Sequence, residues 1–587
     1  MEEQERPASR ATLPVILIAA VVQGWALYGL HFAGAHKYWP ATDPAWLIGL
    51  YTIALLLPLT VQLMAEHVRK PAMAAMVGVL AIALFYMGWH NGSLVGSAPG
   101  EFAPAETFMP FGLEMAVLWL LTLPFLQARL VTGAWRFRYD VLFATAWRNK
   151  LVLAEAALFT GAFWLLLMLW QSLFKMLGIR FFHDLFAEWL FVYPVTAITF
   201  GLALHLIGSV ERFIAIVLEQ LLNVLKWLAL VAGVLLALFT AALIFKLPGL
   251  FVTGQRAIGA AWLLWLVAVT VLLVNAAYRD GGVDRPYPRW IATALRMVVP
   301  LTTIIALTAL YALYVRTARY GLTVERVWAF VVAGATVVYA VGYALAAVRG
   351  GRWMDGIARV NIVAALLLIA AIALALTPVL SPYRLAAKSQ AHHVLTASTV
   401  DTSSHDSSLK YLRFSAGEYG RAKLRELEKL EGHPRAAEIR KAATAVLLAK
   451  NSRDPVMTVK IEEQLANLRV IPAGAVMDAE LRKQVIALFN DTGRSLGFVR
   501  QEQEFGLAVF IDLNGDSVDE FILVDPHQAF LFEQRADQWS YQGILSIRAF
   551  DSQRLPEGID AADISTRAHR WKILVVGKRE YQVESDR

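Results

Sequence analysis

The 587-residue chain has no cysteine. That excludes thiolate nucleophiles, disulfides, iron–sulfur clusters and cysteine-ligated zinc, and leaves the compartment open. Charge is scarce as well, at 17% of residues against 57% hydrophobic, too apolar for an ordinary soluble protein. Three enzyme signatures are also missing: the GxxxxGK[ST] phosphate loop, the HExxH zinc helix and the GxSxG nucleophile elbow. A strongly basic or acidic soluble half is lacking too. Residues 384–587 carry 28 Lys+Arg against 29 Asp+Glu, so the net +7 lies in the preceding part. That placement points to basic loops facing anionic lipid, with no nucleic-acid partner. A cleavable signal peptide is not expected, because "MEEQERPASR" is mixed in charge and the first apolar run is long enough to remain as an anchor.

What is present is unevenly spread. Up to about residue 380, runs such as "LPVILIAAVVQGWALYGL" and "LVAGVLLALFTAALIF" recur at the length of about 20 residues that spans a bilayer as helix. Hydropathy predicts eleven spans, near 12–32, 44–65, 73–90, 110–128, 151–173, 188–208, 222–246, 257–277, 291–315, 323–347 and 359–380. The third is short enough to read as re-entrant instead. The 18 tryptophans fit interfacial belts. The fold class is therefore a polytopic α-helical membrane bundle, residues 1–380, followed by a soluble α+β domain, residues 381–587. "GSVERFIAIVLEQLLNVLKWLAL" reads as an interfacial amphipathic helix running into the seventh span, or as a helix end with snorkelling side chains.

Orientation follows from loop Lys and Arg. Arg69 and Lys70, then Arg129, Arg136, Arg138, Arg148 and Lys150, then Arg279, Arg285 and Arg289, then Arg349, Arg352 and Arg359 fall on one side. The tally is roughly sixteen basic residues on that side against eight on the other. Arg316, Arg319 and Arg326 dissent. An N-terminus in the cytoplasm and a C-terminal domain outside it, periplasmic for an inner-membrane protein, fits best.

In the soluble part, "AGEYGRAKLRELEKLEGHPRAAEIRKAATAVLLAK" predicts two helices broken at Gly432-His433-Pro434, and Asp478 is placed to N-cap a third. The Ser/Thr/His/Asp stretch around residue 400 reads as a loop. His392-His393 with His405 is a weak metal cluster there, more readily solvated. Beyond the third helix the period becomes two. "GLAVFIDL", "EFILV", "AFLFEQ", "WSYQGILSI" and "KILVVGKREYQV" read as strands, the last with a Gly577-Lys578 turn. Between the first two lies "DLNGDSVDE". Asp512, Asn514 and Asp516 take positions 1, 3 and 5 of a cation loop, Val518 offers its carbonyl at 7, and Glu520 sits at 9. Oxygen ligands at alternate positions of a tight turn converge on one hard cation, here Ca2+ as a structural ion. Ser517 stands where a glycine is wanted, and Leu523 where an EF-hand has glutamate. The alternative is an ordinary acidic turn reversed at Asn514-Gly515.

"YVRTARYGLTVERVWAF" with "PYPRW" upstream, "LSPYRLAAKSQ" followed by "DSSLKYLRFSAGEYGRAKLRELEKL", and the closing "FIDLNGDSVDE" and "VVGKREY" resemble the bacterial family catalogued as domain of unknown function 4153. The likeness is strongest from about 280 to 430, and the chain departs from it at Ser517. It implies a multi-pass inner-membrane protein and transfers no catalytic residue. Read without the resemblance, Gly321 permits a turn, Thr323 can N-cap the next helix, and Arg316, Arg319 and Arg326 are candidates for an anionic headgroup or envelope precursor. The other reading is plain helix–loop–helix geometry. Inside the spans, Glu114, Glu155, His205 and Arg296 are the conspicuous ionisable residues, and Asn275 and Asn361 are milder. Three functions stay open: a non-catalytic envelope sensor or scaffold that recruits a protein or lipid partner, a transporter or lipid-handling protein, and a membrane enzyme on a lipid-linked substrate.

Overall fold

The computed structural model of the chain describes residues 12–94, 104–208, 211–252, 259–282, 287–349, 354, 356–397, 400, 407–449, 465, 468–492, 506–525, 528–535, 538–546, 574–576 and 579–581. His405, Arg285, Arg352, the Gly577-Lys578 turn and most of the Ser/Thr/His/Asp stretch lie outside the described residues. Two compact units form. One comprises Met1–Ala397 with Tyr411–Lys429, the other Ser398–Lys410 with Leu430–Arg587. The first unit thus continues past residue 380, the boundary that hydropathy draws.

Helices of the first unit are α1 (Thr12–His36), α2 (Pro44–Leu63), α3 (Pro71–Ser93), α4 (Pro104–Thr132), α5 (Tyr139–Met176), α6 (Phe181–Ala187), α7 (Trp189–Gly208), α8 (Glu211–Val252), α9 (Ala260–Tyr278), α10 (Arg289–Val298), α11 (Leu301–Tyr320), α12 (Val324–Val348), α13 (Ile357–Ala375) and α14 (Pro382–Thr396). Among the described residues eleven spans are long and apolar enough to cross a membrane, α10 and α11 together making one. The third, 23 residues long, rises about 35 Å, so it has the length to cross rather than re-enter. Pro300 divides the predicted 291–315 span, because it has no N–H to continue the helix. The amphipathic segment and the seventh span form one 42-residue helix, α8, roughly 63 Å long and well beyond the hydrocarbon thickness.

Polarity in this unit runs opposite to that of a soluble protein. Phe245, Trp262, Leu165 and Leu166 are among the large apolar side chains on its surface, while Gln23, Thr60, Gln127 and Asn149 are buried. The buried amides find partners between helices. Gln23 Nε2 donates to Leu55 O at 2.9 Å and Asn149 Nδ2 to Gln127 Oε1 at 2.6 Å. Trp119 Nε1 donates to Thr60 Oγ1 at 2.8 Å. Lipid supplies neither water nor hydrogen bonds, so polar groups gather where helices meet. This is a membrane protein.

α15 (Ser408–Phe414) and α16 (Gly417–Glu428) follow, then α17 (Ala436–Leu448). The break between α16 and α17 comes at Gly432-His433-Pro434, as its residues predict, with Gly432 at φ +72°. α18 (Ala479–Thr492) is capped by Asp478, whose Oδ1 accepts Leu481 N at 2.7 Å. The sheet runs β1 (Leu468–Ile471), β2 (Gly506–Ile511), β3 (Glu520–Asp525), β4 (Gln528–Arg535) and β5 (Gln538–Ser546) in that spatial order, antiparallel except for β1 beside β2. β6 (Leu574–Val576) and β7 (Arg579–Tyr581) form a separate pair. The parallel strand β1 is not legible as a strand: four residues are too few to show alternation. Alternation along β2–β4 sends Ala508, Phe521, Leu523, Phe530 and Phe532 to one face, where Leu481 and Val485 of α18 join them. Trp539 seals the edge, donating Nε1 to Asp478 Oδ2 at 2.8 Å.

Candidate functional site

The β2–β3 hairpin carries the acidic loop at its tip, as its spacing predicts. Asp512 holds the turn: Oδ1 accepts Gly515 N at 2.6 Å and Oδ2 accepts Ser517 N at 2.9 Å. Asn514 Oδ1 accepts Asp516 N, and Asp516 Oδ1 accepts Val518 N, both at 2.8 Å. Glu520 is buried at 3% exposure and its Oε2 takes Leu513 N at 2.6 Å. Ser517 sits at φ +69°, the left-handed conformation for which glycine is wanted at that position. Ligand oxygens of Asp512, Asp516 and Glu520 lie within 4.8 Å of one another. Val518 has an exposed side chain.

A fourth carboxylate joins that the loop spacing misses. Phe521 pairs with Phe532, so the register brings Glu533, at 9% exposure, opposite Glu520. Directly opposed like charges repel across a sheet. Asn514 Nδ2 lies among them, 2.7 Å from Glu520 Oε1, 3.0 Å from Asp516 Oδ2 and 3.5 Å from Glu533 Oε1. Arg535 Nε supports Glu533 from the exposed side at 2.9 Å. The polar end of the amide thus sits among three carboxylates, and the hard-oxygen donor set is of the kind that suits a cation. The available signal was a glutamate inside the apolar strand "AFLFEQ".

The second candidate is the loop between α11 and α12. Gly321 adopts φ +73° and ψ 173°, a region open almost only to glycine, and Thr323 Oγ1 caps α12 by accepting Arg326 N at 3.3 Å. Segments far along the chain clasp this loop. Gln390 Nε2 donates to Tyr320 O at 3.2 Å and to Leu322 O at 2.8 Å. Leu322 N donates to Ser389 Oγ at 2.9 Å, and Val324 N to Tyr411 OH at 2.7 Å. Arg326 turns back onto Gly321 O and lies over the Tyr320 ring. Arg316 and Arg319 are exposed. Arg326 thus belongs to the turn, while Arg316 and Arg319 face outward. Sequence reading placed "SQ" and "LKYLRF" in a motif but assigned Ser389, Gln390 and Tyr411 no role.

The clasp also reaches α3. Glu418 N donates to Leu94 O at 2.9 Å, and a Cβ on Gly417 would stand 2.8 Å from the same oxygen. Arg421 is buried beside it, its Nε bonded to Glu418 Oε2 at 2.9 Å. Burial pushes the Glu418 carboxyl up, but hydrogen bonds and charge from Arg421 and Arg425 outweigh that and hold it below the usual range. Burial, then the carboxylates of Glu114 and Glu325, push the Tyr383 phenol up to about 12. Glu114 itself lies in α4. Glu155, His205 and Arg296 lie in α5, α7 and α10, each half-buried, so these intramembrane candidates sit in four different helices.

No family model, no curated protein and no solved structure matches the chain.

Proposed function

We propose that the chain is a non-catalytic envelope protein of the bacterial inner membrane, in which the helical unit anchors a soluble sensing or scaffolding unit. The observation that carries this reading is the hairpin tip, where three carboxylates converge within 4.8 Å on the separately compact α+β unit. A hard cation, Ca2+ by donor type, displaces the Asn514 amide nitrogen and neutralises the opposed Glu520 and Glu533. Affinity in the range of roughly 10⁻⁴–10⁻³ M suits a module outside the cytoplasm. Basic loops on one side support a cytoplasmic N-terminus and a periplasmic soluble unit. Kinship with the family of domain of unknown function 4153 rests on the motif residues alone, and agrees with a multi-pass protein.

The test is a calcium titration of the full chain after chelator treatment, read by equilibrium binding and by thermal melting of the soluble unit. One ion per chain and a higher melting temperature are expected, both lost in Asp512→Ala. Identical melting in calcium and in chelator would sink the cation reading.

A second reading, handling of a lipid or envelope precursor, is favoured by Glu114, a half-buried carboxyl within its apolar span. Native mass spectrometry of the gently solubilised protein tests it. A retained lipid-sized mass, weakened in Glu114→Gln, is expected, and a bare chain under every condition counts against it.

A further inference from the structure

Four polar side chains from four helices meet at the end of the first unit that carries the basic loops, and the proposed function uses none of them. Tyr139 opens α5, Asn275 is one turn from the end of α9, Tyr343 lies late in α12 and Asn361 early in α13. Their bonds form a closed figure. Tyr139 OH donates to Asn275 Oδ1 at 2.6 Å, and Asn361 Nδ2 donates to Tyr139 OH at 2.9 Å and to Asn275 Oδ1 at 3.0 Å. Tyr343 OH adds a fourth bond, donating to Asn361 Oδ1 at 2.8 Å. Asn361 and Tyr343 are 7% and 1% exposed.

We infer that this node is a catch that holds α5, α9, α12 and α13 together at that end of the bundle. Asn361 spends both its carbonyl and its amide nitrogen on three partners, so no other side chain type of its size satisfies all of them. Each bond in the triangle is oriented by the other two, so losing one member loosens the rest. And apolar packing between helices in lipid has little driving force of its own, which leaves such bonds to decide which helices pair. The apolar cluster beside the node, with Val274, Ala346, Ala347 and Ile357, then packs around a geometry the catch has set.

The absence of native cysteine makes the test direct. Ala347→Cys places a thiol at a buried site by the node, and Ala54→Cys places one in α2 as a remote buried control. Both are labelled with a water-soluble maleimide in native membranes. Each thiol should react slowly in the otherwise unchanged chain. Adding Asn361→Leu should speed Ala347→Cys by roughly tenfold or more through local opening, and leave Ala54→Cys unchanged. Tyr343→Phe, which keeps the ring and removes one bond, should give a smaller gain at Ala347→Cys alone. No gain at Ala347→Cys, or an equal gain at both thiols, overturns the proposal.

Discussion

The two candidate loops differ in where their hydrogen bonds come from. In the acidic hairpin nearly every bond closes within nine residues, Asp512 to Glu520, with Glu533 arriving from the adjoining strand. The Gly321 loop is held by Ser389, Gln390 and Tyr411, between 67 and 87 residues away. Both loops place a residue in a left-handed backbone conformation. The clasped loop has Gly321 there, and the hairpin has both Gly515 and the non-glycine Ser517. A self-contained turn can tolerate a strained residue, because its side-chain bonds lie where the strain is. A turn that receives the side chains of another helix against its backbone can accept a Cβ only if the Gln390 amide shifts away.

The contrast can be broken by exchange. Gly321→Ala adds strain and drives a Cβ to 2.8 Å from Gln390 Nε2. The backbone region alone costs about 1–3 kcal/mol, so a melting temperature lowered by several degrees and faster amide exchange at Val324 are expected. Unchanged exchange there would show that the clasp does not depend on the bare glycine.

Ser517→Gly should do the opposite, relieving about 1 kcal/mol of left-handed strain and stabilising the soluble unit. Chemical denaturation of the full chain, followed by amide exchange in β2 and β3, measures it. A destabilised unit would mean that the serine side chain is needed in that turn.

The smallest effect sharpens the comparison by pH. Glu418 is held below its ordinary range in the folded clasp, so its contribution is present above the unfolded value, about 4.3, and is lost as pH falls through the lower folded value. Amide protection across 411–429, corrected for the intrinsic pH dependence of exchange, should therefore be flat near neutrality and fall only in acid. Glu418→Gln should flatten the acid limb, and an unaltered limb would assign it to another carboxyl.

Much of this architecture is local enough to read from residues. Twenty-residue apolar runs, the Gly432-His433-Pro434 break, the Asp478 cap and the period-two strands each draw on neighbours a few positions apart. The hairpin is legible for the same reason, down to the anomaly at Ser517. Pro300 was equally visible, yet an apolar run hides a helix break because both halves score alike. β1 escaped because a parallel strand of four residues takes its identity from β2 rather than from its own pattern.

The sequence by itself determined which segments enter lipid, which remain in water, and which loop can gather oxygen ligands, since each follows from local composition and short-range geometry. Only the tertiary structure decided that Glu533 stands against Glu520, that Gln390 and Tyr411 clasp the Gly321 loop, and that Tyr139, Asn275, Tyr343 and Asn361 close one node. Those pairings join residues from 13 to 222 positions apart. A single polar side chain in an apolar run signals that it needs a partner, and only the packing of whole helices and strands selects which one it meets.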